Sequence, residues 1–385
     1  MVSLAKRLSV LIATLALLAW ASCSSILRAQ LSTSDHLAEP GFWPTQNAAF
    51  RNEFLGPGAC ASCHAAVVAT QSRTPMGATA MHATDSDILQ SHPTLNFAFD
   101  KYRYEIKSSA TQDLYTVTDG AHKQFANLLW AFGTGRVGQS YLFKKDDGKF
   151  YEARVTYFDT LKTLHFTPDR ALTTVKDLDE AMYRPVEASE VRHCFGCHTT
   201  APSIANQLDE QNLIPGVTCE ACHGPGADHA AAMKAGAENG RALIFNPARL
   251  DPVASVDFCG ACHRTWQDVV GNGLIGAGML NVRFAPYRLE NSLCWKEQDA
   301  RITCVACHDP HKPLVQEAES YDSRCLQCHV QHGAKPTKAL PGKACPVATS
   351  KCVTCHMPKY SPPTLHSSFT DHWIRVVKPG KPYPD

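Results

Sequence analysis

Cys219-Glu-Ala-Cys222-His223 is one of seven copies of a Cys-x-x-Cys-His run, and the reading of the whole chain turns on it. Numbered in chain order, the copies are Cys60-Ala-Ser-Cys63-His64 (motif 1), Cys194-Phe-Gly-Cys197-His198 (motif 2), the quoted run (motif 3) and Cys259-Gly-Ala-Cys262-His263 (motif 4). Cys304-Val-Ala-Cys307-His308 (motif 5), Cys325-Leu-Gln-Cys328-His329 (motif 6) and Cys352-Val-Thr-Cys355-His356 (motif 7) complete the set. Together they use 14 of the 17 Cys in a chain of 385 residues. Cys and His frequencies alone would yield roughly 0.03 copies, so the repetition is not chance. The run is the attachment signature of c-type haem: two thiols add across the vinyl groups, and the adjacent His becomes an axial ligand of the iron. Seven covalent haems c follow as the expectation.

Zinc is the nearest competing chemistry. Cys194/Cys197 with Cys219/Cys222 would supply a four-Cys tetrahedral site, and a lone Cys-x-x-Cys is also a thiol redox motif. Neither requires a His after every second Cys, and seven pairs do not divide into four-Cys sites.

Composition agrees. Hydrophobic residues make up 44% and charged residues 19%, which excludes a wholly disordered chain. Lys plus Arg number 37 against 36 Asp plus Glu, a balance that gives no basic surface for nucleic acid. Residues 1–21 read as a signal peptide: Lys6 and Arg7, an apolar run from Leu8 to Leu18, then the small-x-small site Ala19-Trp20-Ala21. The apolar run is shorter than the ~20 residues of a membrane span. Cys23 would accept a lipid anchor, although Trp20 stands where lipoprotein signals carry Leu. The expectation is export to the periplasm or another extracytoplasmic space, as a soluble or peripheral membrane protein. Removing residues 1–21 deletes two cations and no anions, taking the formal charge from +1 to −1. Two propionates on each haem would bring it to about −15 before the iron charge is counted.

Seven of the 18 His are consumed by the motifs, leaving His36, His82, His92, His122, His165, His193, His229, His311, His332, His366 and His372. Supply therefore permits bis-His ligation at every iron. His193 precedes motif 2, His229 follows His223 by six residues, and His311 and His332 each follow a motif His by three. A His so near its own motif cannot easily reach the opposite face of the same haem, so it is expected to serve a neighbour. His36, His92 and His165 lack such context and read as ordinary histidines.

Motif 1 stands apart, with nearly 130 residues before the other six crowd between 194 and 356. In the gap, Phe97 to Lys107 alternates apolar and polar residues as a half-buried strand does. Tyr141 to Phe158 reads as a hairpin turning at Asp146-Asp147-Gly148. The organisation expected is a signal peptide (1–21), a segment with haem 1 (22–96), a β-containing insert (97–190), a six-haem domain (191–376) and a tail (377–385). The fold class expected is mostly α and irregular, with short helices and loops wrapped around stacked haems, a small antiparallel β insert near 97–166 and a helix over Asp228–Ala237.

Further segments carry a resemblance: Thr74-Pro-Met-Gly, Gly133-Thr-Gly-Arg-Val-Gly-Gln-Ser-Tyr-Leu, Gly216-Val-Thr-Cys-Glu-Ala-Cys-His-Gly-Pro-Gly-Ala-Asp-His, Asn246-Pro-Ala-Arg, Cys355-His-Met-Pro-Lys and Phe369-Thr-Asp-His-Trp-Ile-Arg. On these, from about residue 55 to 376, the chain resembles the multihaem cytochrome c family that includes the tetrahaem cytochromes of nitrifiers, hydroxylamine oxidoreductase and pentahaem nitrite reductase. The resemblance implies His229 and His372 as distal ligands on haems other than their own, with His366 another. Near haem 1 it implies Met76 or His82; a Met/His pair would raise that potential relative to bis-His. Members are often fused to tetratricopeptide repeats, which do not follow motif 7 here.

Two functions remain open. One is an electron carrier exchanging with redox partner proteins, quinol-linked or other cytochromes. The other is a reductase or oxidase of a small nitrogen or sulfur oxyanion, which needs one haem with an open distal face. The absence of any Cys-x-x-Cys-Lys variant and the ample His supply favour the carrier. Outside the motifs, Cys294 and Cys345 are placed to close a disulfide loop of about 50 residues around motifs 5 and 6.

Overall fold

The computed structural model describes residues 53–168, 175–201, 203–204, 207–331, 333–378 and 383. Residues 1–21, read above as a signal peptide, and Cys23, His36 and His332 lie outside them. No helix among the described residues is long and apolar enough to cross a membrane.

Helix α1 (Pro57–Gln71) begins with Pro57 in its first turn, where the missing N–H costs nothing, and carries motif 1. Its helical geometry breaks at His64 (φ −115°, ψ 35°), the last residue of the motif. An antiparallel sheet follows: β1 (Ala80–His82), β2 (Thr94–Phe99), β3 (Tyr102–Ser108), β4 (Asp113–Thr118), β5 (Lys123–Phe132), β6 (Ser140–Lys144) and β7 (Phe150–Ala153). β8 (Val155–Phe158) and β9 (Thr163–Phe166) form a separate pair, and β10 (Tyr183–Pro185) returns to β7. The main order is β10-β7-β6-β5-β4-β3-β2, with β1 also on β5. Ten-residue β5 serves two sets of neighbours: its first half pairs with β4, and its second half, past a bulge at Leu128/Trp130, with β6 and β1.

Three expectations are corrected here. Phe97–Lys107 is not one strand but the tip of the β2–β3 hairpin, because Asp100 takes a left-handed φ of 52° and turns the chain. Lys149–Phe158 divides between two sheets, since Arg154 leaves the β6–β7 ladder: its N–H goes to Met182 O at 3.0 Å. The β region is also not small. It runs from Ala80 to Pro185, so the mostly α and irregular character holds only after residue 190. The Asp-Gly turn is as read, with Gly148 at φ 73° joining β6 to β7.

One sheet face packs Leu95, Tyr104, Ile106, Tyr115, Val117, Tyr141, Phe143, Val155 and Leu164 into the larger core. A second core lies where Trp130, Phe132, Leu142 and Phe150 receive Phe195 of helix α2 (Ala188–His198), the carrier of motif 2. Phe195 meets Trp130 and Phe132 edge-on, centroids 5.0 and 5.2 Å apart. The sheet is thus the platform on which motif 2 stands.

Beyond α2 the helices are short: α3 (Cys219–His223), α4 (Ala227–Lys234), α5 (Pro252–His263), α6 (Ala285–Glu290), α7 (Cys304–Cys307), α8 (Asp322–Cys325) and α9 (Cys352–His356). α4 matches the expected Asp228–Ala237 helix, ending slightly earlier. α5 starts as its sequence dictates, Asp251 accepting from Ala254 N at 2.9 Å with Pro252 next in line.

Gly216 is needed where the chain enters motif 3. Its φ is 76°, and a Cβ there would lie 2.0 Å from Gly77 O. Gly216→Ala is expected to cost about 2–4 kcal/mol, left-handed strain plus overpacking. A guanidinium unfolding midpoint unchanged from wild type would refute this close approach.

Candidate cofactor-binding sites

A helical turn places residues i, i+3 and i+4 on one face, so each motif presents two thiols and an imidazole in one direction. Six motifs begin within helices α1, α2, α3, α5, α7 and α9, and Cys325 of motif 6 closes α8. No disulfide joins any of the 16 described cysteines.

Four motif histidines are oriented through Nδ1. His223 donates to Phe245 O (2.8 Å), His329 to Lys343 O (2.9 Å) and His356 to Arg375 O (2.9 Å). His198 Nδ1 lies 2.7 Å from Thr79 Oγ1 and 3.3 Å from Thr79 O, where β1 joins the sheet. A carbonyl cannot donate, so Nδ1 carries the proton and Nε2 keeps its lone pair, as an axial ligand requires. Burial lowers the pKa of His198, His223, His263 and His308, favouring the neutral form that binds metal. The donor set therefore fits a haem at each of these motifs.

The motifs neighbour one another, four junctions through helix packing and two through the nearness of their thiols. α1 packs on α3, α2 on α5, α5 on α7, and α8 on α9. Thiol hydrogen bonds mark the same junctions: Cys60 with Cys219, Cys197 with Cys262, Cys259 with Cys304, and Cys325 with Cys352. Cys222 also acts electrostatically on Cys259 and Cys262, and Cys307 feels Cys325. In spatial order the motifs run 1–3–4–5–6–7, with motif 2 joining at motif 4.

Two histidine pairs have the separation that one metal between them demands. Imidazoles on opposite sides of an ion, through bonds of about 2 Å, have centroids roughly 6 Å apart. His223 and His311 lie 6.0 Å apart, and His308 and His372 lie 6.2 Å apart. His311, three residues after motif 5, therefore faces motif 3, while His372, nearest in sequence to motif 7, faces motif 5. Burial, then the neighbouring His308, holds His372 down at about 4, and its Nδ1 donates to Thr370 O at 3.1 Å. His229 likewise donates Nδ1 to Gly240 O (2.8 Å).

Other candidates are placed differently. His366 Nε2 is 3.2 Å from Nδ1 of His165, an ordinary histidine in the sequence reading, and the two share a hydrogen bond. His82 stacks on Trp130 at 4.2 Å, and His193 hydrogen-bonds the Cys197 thiol. Met76 is half-buried and its carbonyl accepts from Val217 N (2.9 Å), which sets it beside the approach to motif 3.

The disulfide expected between Cys294 and Cys345 is not formed. Cys294 lies near the thiols of motif 6, Cys325 and Cys328, whereas Cys345 accepts backbone hydrogen bonds from Val347 and Ala348 within its own loop. The zinc alternative also fails: no three metal-ligating side chains converge among the described residues, and Cys197 meets motif 4 rather than motif 3.

Sequence reasoning missed a set of buried charges. Glu220, inside motif 3, accepts from the N–H groups of Leu55, Gly56 and Gly226. Asp322 accepts from Lys351 N and Cys352 N at the start of motif 7. Arg288 of α6 and Asp371, both fully buried, form a bidentate pair at 2.9 Å beside His372. No local pattern distinguishes these residues from solvated charges.

Comparison with known proteins supports the multihaem cytochrome c family. Residues 153–224 match the family described as cytochrome c554 and c-prime. The dissimilatory sulfite reductase MccA of Wolinella succinogenes is 22% identical over 389 residues, 80% of this chain and 51% of that protein. The multiheme cytochrome MtrA of Shewanella baltica is 23% identical over 217 residues, 51% of this chain and 61% of that one. The chain thus spans about half to three fifths of these relatives. The crystal structure of the outer cell wall cytochrome OcwA aligns with 84% of the chain and 80% of its own, at 15% identity and a TM-score of 0.40.

Proposed function

Since the chain belongs to the multihaem cytochromes c, we propose that it is an exported, periplasmic or extracytoplasmic heptahaem protein that moves electrons between redox partner proteins. When bound, each haem supplies a one-electron store. The supporting observation is how the motifs neighbour one another: helix packing joins motif 1 to 3, motifs 2 and 5 to 4, and motif 6 to 7, while thiols of motifs 3 and 4, and of 5 and 6, lie near enough to influence each other, so seven cofactors would form one path. The protein's own part is to hold fourteen thiols and seven imidazoles in register, to fix Nδ1–H on carbonyl acceptors, and to bring His311 and His372 across to motifs 3 and 5. His229, His366, His193, His332, Met76 and His82 are the further distal candidates. The organisation proposed is an N-terminal segment with haem 1, the β-containing insert and a six-haem domain.

Intact mass is expected to exceed that of the chain without its signal peptide by seven haem masses; a count well short of seven would refute the assignment. Reduced samples should donate electrons to a soluble cytochrome in stopped-flow mixing, and failure to do so would remove the carrier reading.

A second reading, reduction of a small sulfur or nitrogen oxyanion, is supported by the likeness to the protein named a sulfite reductase, which covers 80% of this chain. Sulfite, nitrite or hydroxylamine perturbing the haem spectrum would favour it over the carrier.

A further inference from the structure

Glu220 and Asp322 occupy equivalent positions at the two ends of the motif series. Glu220, 2% exposed, lies in motif 3 and accepts from Leu55 N (2.9 and 3.1 Å) and Gly56 N (2.7 Å), the approach to motif 1. It also accepts from Gly226 N (2.9 Å), where α4 and His229 begin. Asp322, 8% exposed, opens the helix of motif 6 and accepts from Lys351 N (2.7 Å) and Cys352 N (2.8 Å), the opening of motif 7. Each end motif is therefore tied by a carboxylate from the motif next inward.

An uncharged acceptor could make the same backbone contacts. What a carboxylate adds is charge, and among the described residues neither Glu220 nor Asp322 forms an ion pair with Lys, Arg or His. Amide dipoles satisfy the oxygens without removing that charge. Buried negative charge beside a haem favours the more positive, oxidised iron, and low local dielectric strengthens the effect.

We propose that Glu220 and Asp322 are positioning residues that also hold down the reduction potentials of the haems at the two ends of the path. The inference rests on the proposed haem occupancy of motifs 1, 3, 6 and 7, which intact mass checks separately.

The test is a spectroelectrochemical titration of the holoprotein after its haems have been counted. Glu220→Gln is expected to raise the potential of haems at one end, by about tenfold in the ferrous-to-ferric ratio at fixed potential, about 59 mV for one electron. Asp322→Asn should do the same for a different set, and the double variant should show both shifts added, since the sites share no partner. Glu220→Asp, which keeps the charge, should leave the titration near wild type. Curves for Glu220→Gln and Asp322→Asn that superimpose on wild type would overturn the proposal. So would equal shifts in Glu220→Gln and Glu220→Asp, because shape rather than charge would then be responsible. If Glu220→Gln loses a haem while Glu220→Asp keeps both the count and the wild-type curve, the charge requirement stands. Haem loss in both variants would reduce Glu220 to a folding element and end the idea.

Discussion

Arg288→Ala is expected to destabilise the protein by about 3–5 kcal/mol, because it removes the bidentate, fully buried partner of the Asp371 carboxylate and leaves only Arg375 to balance that charge. Arg288 and Asp371 are both at 0% side-chain exposure, and the guanidinium also stacks on Trp373, 4.8 Å from the ring centroid. Asp371 accepts from Trp373 N (3.0 Å) and pairs with Arg375 (2.6 Å). The carboxylate thus gathers the whole segment that carries His372 to motif 5. Loss of the pair should lower the guanidinium midpoint and, in the same sample, convert one low-spin haem to high spin. A midpoint within 1 kcal/mol of wild type, by the rough threshold for a surface pair, would refute the role assigned to this bridge. Its pH dependence has a definite sign. Burial alone would raise the Asp371 carboxyl, but the Arg288 guanidinium, the Trp373 N–H and Arg375 outweigh it and hold the group below its ordinary value. A depressed carboxyl contributes stability above the unfolded pKa of about 3.9 and loses it as pH falls through the folded value. The wild-type advantage over Arg288→Ala should therefore be full at neutral pH and shrink in acid below about pH 4.

His311→Ala should open the distal face of the haem at motif 3, although His311 is only three residues from motif 5. The prediction follows from the 6.0 Å separation and 13° interplanar angle of His223 and His311. One haem of the set should become high spin and bind carbon monoxide when reduced, with the remainder unchanged. The site can be identified by repeating the substitution in a chain whose motif 3 is removed by Cys219→Ala and Cys222→Ala. There His311→Ala should cause no further spectral change. A new high-spin signal in that background would place His311 on motif 5 and overturn the cross-motif assignment.

By itself the sequence determined the chemistry. Thiol, thiol and imidazole at i, i+3 and i+4 specify covalent haem through local geometry, so seven repeats could be read without any fold. Proximity along the chain pointed His311 to a neighbour's haem, and the family resemblance did the same for His372; both rings lie nearest to the His of another motif. The β-turn at Asp147-Gly148 was readable because left-handed φ at a glycine is a local property. Tertiary structure alone decided what depends on distant segments. Which motif neighbours which is set by packing between segments far apart in the chain, as in the Leu55–Glu220 contact across 165 residues. The extent of the sheet was hidden because β1, β7, β8, β9 and β10 are too short to show an alternation, and ten-residue β5 loses its alternation where it changes partners at a bulge. His366 was drawn to His165 by a strand elsewhere in the chain. Glu220, Asp322 and Arg288 look like surface charges in the sequence. Only burial, which brings N–H groups or a counter-charge from elsewhere in the chain, turns them into the clamps around the haem motifs.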